Sequence, residues 1–222
     1  MTGLALTTER SLGFTETTTI QSVDGVTLAA DWRETYNGSV LEETRITATE
    51  SGAVLSLGDI MPGDSGVLSV RLSVQSEDEA ESPQAEPRLT VQLTETAENG
   101  LSEPERSVGD TSAETGELQE FLNAAIWYDT GLASIDAFGA NNSVQDLGEQ
   151  LIHDGAEGTL AEVAAAVDAV SLTPGGCLGV DESVIVSFGW SFDDDAAGIN
   201  ATQGDSVTFD CLIDGHRCVT NG

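Results

Sequence analysis

The stretch Val67-Leu68-Ser69-Val70-Arg71-Leu72-Ser73-Val74 alternates apolar and polar residues with a period of two. Successive side chains of a strand point to opposite faces, so the pattern predicts a half-buried antiparallel strand with Leu68, Val70, Leu72 and Val74 on its inner face. Just upstream, Met61-Pro62-Gly63-Asp64-Ser65-Gly66 has the residues of a tight turn, and Val54-Leu55-Ser56-Leu57 leads into it as another strand. Val26-Thr27-Leu28-Ala29-Ala30-Asp31-Trp32 runs towards a turn at Tyr36-Asn37-Gly38, and a further strand is expected near residues 44–48. Downstream, strands are predicted at residues 89–93, 125–128, 184–190 and 206–212, and residues 75–87 and 97–110 read as loops. A short helix is expected near 118–123. A clearer one runs over 159–167, where Thr159 and Glu162 form a capping box and Leu160, Val163, Ala164 and Val167 share a face.

Working outward, residues 1–20 are Thr-rich and weakly apolar, with Leu4, Leu6, Leu12 and Phe14 as anchors. Thr favours extended chain, so they read as an N-terminal arm. The expected architecture is mainly β: a jelly-roll or β-sandwich domain over residues 21–222, with one or two short helices, preceded by the extended arm at 1–20.

The charge is lopsided. The 222 residues include 39 Asp and Glu against 7 basic residues, all of them Arg, for a net charge of -32. Nucleic acids are bound by basic patches that release counterions, so that partner class is excluded, and anionic lipid surfaces are disfavoured likewise. No apolar run approaches the roughly 20 residues of a membrane-spanning helix. The hydrophobic fraction of 39%, arranged in patterned blocks, is that of a folded chain. Self-repulsion this large needs screening, and the Debye length falls from about 10 Å at 0.1 M salt to about 3 Å at 1 M. With Lys absent as well, a halophilic source is expected.

Three cysteines, Cys177, Cys211 and Cys218, lie in the last quarter, none in a CxxC pair, and there are two histidines, His153 and His216. Zinc therefore lacks soft ligands, and a C-terminal disulfide with one thiol left over is expected. Three sequons, at Asn37, Asn141 and Asn200, fall in turn-like stretches and fit an exported glycoprotein. The start, Met1 to Leu6, has neither a basic n-region nor a long apolar h-region, so no signal peptide is visible in it. Pro62-Gly63-Asp64-Ser65-Gly66 is not Gly-x-Ser-x-Gly, and neither histidine belongs to an HExxH helix; no catalytic residue is assigned. Asp193-Asp194-Asp195 and the loop from Glu98 to Glu105 offer oxygen ligands for calcium, but neither has EF-hand spacing. In so acidic a chain both read as solvated loops, so no metal and no cofactor is expected.

A set of blocks in fixed order carries a resemblance: Asp31-Trp32-Arg33-Glu34-Thr35-Tyr36-Asn37-Gly38, Leu57-Gly58-Asp59-Ile60-Met61-Pro62-Gly63-Asp64-Ser65-Gly66, Glu98-Asn99-Gly100-Leu101-Ser102-Glu103-Pro104-Glu105, Trp127-Tyr128-Asp129, Gly158-Thr159-Leu160-Ala161-Glu162 and Gly204-Asp205-Ser206-Val207-Thr208-Phe209-Asp210. Together they resemble haloarchaeal members of the TasA/camelysin family, proteins exported through SipW-type signal peptides. The resemblance implies a secreted, extracellular jelly-roll protein that polymerises into a filament, pilus or biofilm matrix fibre. An N-terminal strand of one subunit would complete the sheet of the next, a head-to-tail contact that does not close. It implies a polymerisation arm with Leu4, Leu6, Leu12 and Phe14 as knobs, identical subunits as partners, with the cell surface or neighbouring filaments beyond them, and a Cys177–Cys218 disulfide. Departures from the pattern are Ile185, where a cysteine is expected, and Cys211, which has no counterpart. The competing reading is a monomeric cell-surface β-domain that binds glycans or cells.

Overall fold

The computed structural model describes residues 12–21, 27–43, 46–76, 83–130, 140–174, 176–180, 182–194 and 198–218. Its strands are β1 (Glu16–Gln21), β2 (Thr27–Tyr36), β3 (Ser39–Val40), β4 (Ile46–Thr49), β5 (Gly52–Leu57), β6 (Ser65–Gln75), β7 (Ala85–Ala97), β8 (Leu122–Tyr128), β9 (Glu157–Thr159), β10 (Val170–Ser171), β11 (Ser183–Phe192) and β12 (Ser206–Arg217). They form two antiparallel sheets, ordered β1-β2-β6-β11-β8-β9 with β3 added to β2, and β10-β7-β12-β5-β4. The fold is a β-sandwich. Successive long strands cross between the layers, from β5 to β6 to β7 to β8 and again from β11 to β12.

The period-two stretch is the centre of the first sheet. β6 pairs with β2 on one side and β11 on the other, and Leu68, Val70, Leu72 and Val74 are all buried. They join one apolar cluster with Leu55 and Leu57 of β5 and Val207, Phe209 and Ile213 of β12. Phe188 of β11 meets Phe209 of β12 at 5.0 Å between ring centroids, which brings the two layers together. Trp32, Trp127 and Trp190 are buried in the strands.

Asn37 and Gly38 both take positive φ, 47° and 75°, which the tight β2–β3 hairpin requires. Asp64 ties that hairpin to the turn before β6: its carboxylate accepts from Tyr36 Oη at 2.5 Å, Asn37 Nδ2 at 2.9 Å and the Met61 amide at 2.7 Å. The turn reading of Pro62 to Gly66 follows from these bonds.

Three short α-helices interrupt the strands: α1 (Glu103–Val108), α2 (Leu118–Phe121) and α3 (Leu160–Ala166). Thr159 and Glu162 cap α3 reciprocally, and Leu160, Val163 and Val167 are fully buried. α1 stands where the sequence reading placed a loop. Ser102 and Glu105 form a capping box, Pro104 occupies the first turn and Gly109 closes the helix in the left-handed region, so local signals fix the helix despite its acidity. Among the described residues no helix is long and apolar enough to cross a membrane.

Cys177 and Cys218 are bonded, with Cα atoms 6.5 Å apart across 41 residues, and the Cys218 amide donates to Gln84 O at 2.9 Å. Cys211 is a buried free thiol, pushed up to about 12 by burial and by Asp210. The Cys177–Cys218 bond fastens the end of β12 beside β7. Closing such a loop is worth about 2–4 kcal/mol. A Cys177→Ser/Cys218→Ser variant is expected to lose that much in guanidinium unfolding, and reduction of the wild-type protein should lower its midpoint to match.

Candidate functional site

Two polar constellations stand out, one beneath the segment that leads into β1 and one just past the C-terminal end of β7. The first is built on a row that crosses the first sheet: Arg33 of β2 lies beside Ser69 of β6, which lies beside Ser187 of β11. These residues point away from the apolar core, and all three are completely buried. Residues 141–143 lie over them. Ser143 Oγ accepts from Arg33 Nε at 3.1 Å and Nη2 at 2.8 Å, and Ser69 Oγ bonds to both Ser143 Oγ and Ser187 Oγ, at 2.9 and 2.7 Å. Asp129, also buried, accepts from the Asn142 and Ser143 amides and from Ser187 Oγ, and stands 3.9 Å from Arg33 Nη2. A buried charge without partners would be costly, and this one is both paired and hydrogen-bonded.

The arm is rooted in that network. The Leu12 carbonyl accepts from Arg33 Nη1 at 2.8 Å and from Asn141 Nδ2 at 2.9 Å, and its amide donates to Asn141 O at 3.0 Å. Phe14 presents its ring to two guanidinium groups, Arg33 at 5.1 Å and Arg71 at 4.7 Å from the centroid, within the range of cation–π attraction. Thr15 then donates from its amide to Trp32 O, and β1 continues as the edge strand along β2 from Glu16↔Trp32 to Gln21↔Thr27. Leu12, Phe14 and β1 are thus held by this same domain, and Leu4 and Leu6 lie outside the described residues.

The three sequons differ in surroundings. Asn141 Oδ1 accepts from Arg33 Nη1 at 2.6 Å while its Nδ2 binds Leu12, so the atom that would carry a glycan is inside the network. Asn37 bonds Asp64 and the Ser65 amide at an exposed turn. Asn200 lies exposed in a short 3₁₀ turn, Ile199–Thr202.

The second constellation is acidic. Glu98 directly follows β7, Glu105 belongs to α1, Asp110 and Glu117 lie on the way to α2, and Asp205 leads into β12. Ligand-capable oxygens of Glu98, Glu117 and Asp205 lie within 4.8 Å of one another. Glu98, Glu105 and Asp205 are buried, at 2%, 0% and 3% exposure. Several oxygens are held by the backbone: Glu105 Oε2 by the Ser102 amide, Asp110 Oδ1 by the Ser112 amide at 2.8 Å and Asp205 Oδ2 by the Glu117 amide at 2.7 Å. Six others, Glu98 Oε1 and Oε2, Glu105 Oε1, Asp110 Oδ2, Glu117 Oε2 and Asp205 Oδ1, are buried without a hydrogen-bond partner. Gly116 lets the chain pass here, since a Cβ would come within 2.8 Å of Asp205 Cγ and 2.7 Å of Ala97 O.

Burial, reinforced by the charges of Asp205, Glu105, Asp110 and Glu117, pushes Glu98 up to about 7. Burial and neighbouring carboxylates also raise Glu117, and burial raises Asp205 against the amide that donates to it. Such an arrangement can do one of two things at neutral pH: retain protons, or hold a hard cation. The Glu98-to-Glu105 loop, read from the sequence as solvated, turns Glu98 and Glu105 inward while Glu103 stays exposed, because α1 packs against the 3₁₀ turn before Asp205.

No family model matches the chain, and no curated protein matches it.

A carboxyl group whose folded value lies above its unfolded one binds extra protons in the folded state, so its contribution to stability falls as pH rises between the two. In divalent-free buffer, melting temperature is expected to fall as pH rises from 4.5 to about 7, and Glu98→Gln should flatten that slope. An unchanged slope in the variant would mean that the general charge, and not this cluster, governs it.

Proposed function

We propose that this chain is a structural subunit of an extracellular filament or matrix fibre, joined head-to-tail by strand addition from its N-terminal arm. The observation that carries the reading is the root at Leu12 and Phe14. It fixes the place at which residues 1–11, the stretch with Leu4 and Leu6 that the proposal takes as the donor segment, join the described chain. At about 3.3 Å per extended residue, eleven residues reach roughly 36 Å, enough to lie along a whole strand of a neighbour. The root would transmit tension from that strand to Arg33 and the centre of the first sheet. An edge is available in the second sheet: β10 covers β7 only at Arg88 and Leu89, and the half of β7 from Gln92 to Ala97 has strand pairing only with β12 among the described residues. Unpaired edges are where strand addition takes place. The ordered sequence blocks of the TasA/camelysin family support the same reading, as does the predominance of Thr, Val and Leu in the strands of so acidic a chain.

Removal of residues 1–11, or Leu4→Asp with Leu6→Asp, is expected to leave a folded protein of unchanged circular dichroism that no longer forms fibres in molar salt. Fibres that persist in both variants would overturn the proposal. A monomeric surface-binding domain is favoured by one observation, the pairing of β1 with its own β2, which leaves the first sheet with an edge of its own. On that reading the full chain sediments as a monomer in molar salt at every concentration.

A further inference from the structure

We propose that Glu98, Glu105, Asp110, Glu117 and Asp205 form a calcium site that clamps the end of β7, α1 and the start of β12 together. Clusters of acidic residues are common on so anionic a chain, but this one is different in kind. Glu98 is buried, both its oxygens lack a hydrogen-bond partner, and it faces two more buried carboxylates with free oxygens, Glu105 and Asp205. An isolated buried carboxylate is costly, and several together without a counter-charge are more so. Among the described residues no ion pair reaches any of the five; Arg33, Arg71 and Arg88 pair with Asp129, Asp31 and Glu86 instead.

The donor chemistry selects the ion. Every donor is a carboxylate oxygen, which suits a hard cation and not zinc or copper. Backbone amides hold one oxygen each of Glu105, Asp110 and Asp205, and six oxygens of the five side chains, both of Glu98 and one each of Glu105, Asp110, Glu117 and Asp205, are buried without a hydrogen-bond partner. Calcium takes about 6–8 oxygens at roughly 2.3–2.6 Å, so its ligand oxygens lie up to about 5 Å from one another, and the Glu98, Glu117 and Asp205 oxygens, all within 4.8 Å of one another, are close enough to share one ion. Magnesium keeps several waters and is usually held by one or two carboxylates, so a buried set this rich in carboxylates favours calcium. The ligands come from four separate stretches of chain, so binding them to one ion would close that end of the sandwich. The inference stands whether or not the chain polymerises.

The test uses the full chain in molar NaCl after chelator treatment and dialysis. Calcium is expected to be taken up at one ion per chain by equilibrium dialysis and to raise the melting temperature, with magnesium at equal concentration giving a smaller rise. Glu98→Gln combined with Asp205→Asn is expected to weaken uptake at least about tenfold. Because that double variant removes facing charges, its calcium-free form should melt no lower than the calcium-free wild type, a result that merely disrupted packing would not give. Gly116→Ala, which presses on Asp205, should weaken calcium uptake while leaving the cysteine bridge intact. Wild-type protein that takes up no calcium, or double-variant protein that takes up as much as wild type, would overturn the proposal.

Discussion

Negative charge far in excess of cationic side chains is the constraint under which the rest of this molecule is arranged. With 39 acidic residues against 7 arginines, most carboxylates must either remain in solvent or find something other than a side chain to balance them. The sandwich is accordingly built from strands that carry few charges and turn Leu, Val and Ile inward. The few guanidinium groups serve particular tasks: Arg33 organises the outer face of the first sheet from a fully buried position, Arg71 binds Asp31 at 2.5 Å and shares the Phe14 ring, and Arg88 lies beside Glu86. The cluster around Glu98 has no such partner among the described residues, and its inward-facing carboxylates follow from that shortage together with the local geometry of α1.

Most of the sandwich is legible in the sequence because strand burial has a local signature. The alternation from Val67 to Val74 gives both the strand and its buried face, and Thr159 with Glu162 marks α3 in the same direct way. α1 has signals of its own, since Ser102, Pro104, Glu105 and Gly109 are start and stop residues, but a helix of six residues is too short to show an apolar periodicity. The two polar constellations are another matter. Arg33 meets Ser143 across 110 residues and Glu117 meets Asp205 across 88, and no periodicity in one segment reports contacts of that separation. What the sequence shows of the carboxylate cluster is an acidic loop; that its oxygens face one another depends on which strands become neighbours.

The arm and the charge belong to one account. Repulsion between subunits of net charge -32 would oppose any assembly in dilute salt, and at molar salt the Debye length shrinks to about 3 Å. Association through backbone hydrogen bonds and apolar knobs would then need no charged contact, and the proposed donor segment before Leu12 would supply both. A buried calcium ion would add local neutralisation that bulk salt cannot supply to groups shielded from solvent. Polymerisation and cation binding would therefore answer the same excess of charge at two depths, one at the surface and one inside.

The most direct measurement is electron microscopy of the purified full chain over a range of protein concentrations in molar salt with calcium present. Filaments with a regular axial repeat, growing in number with concentration, are the expected result. Separate particles of single-domain size at every concentration would contradict the account.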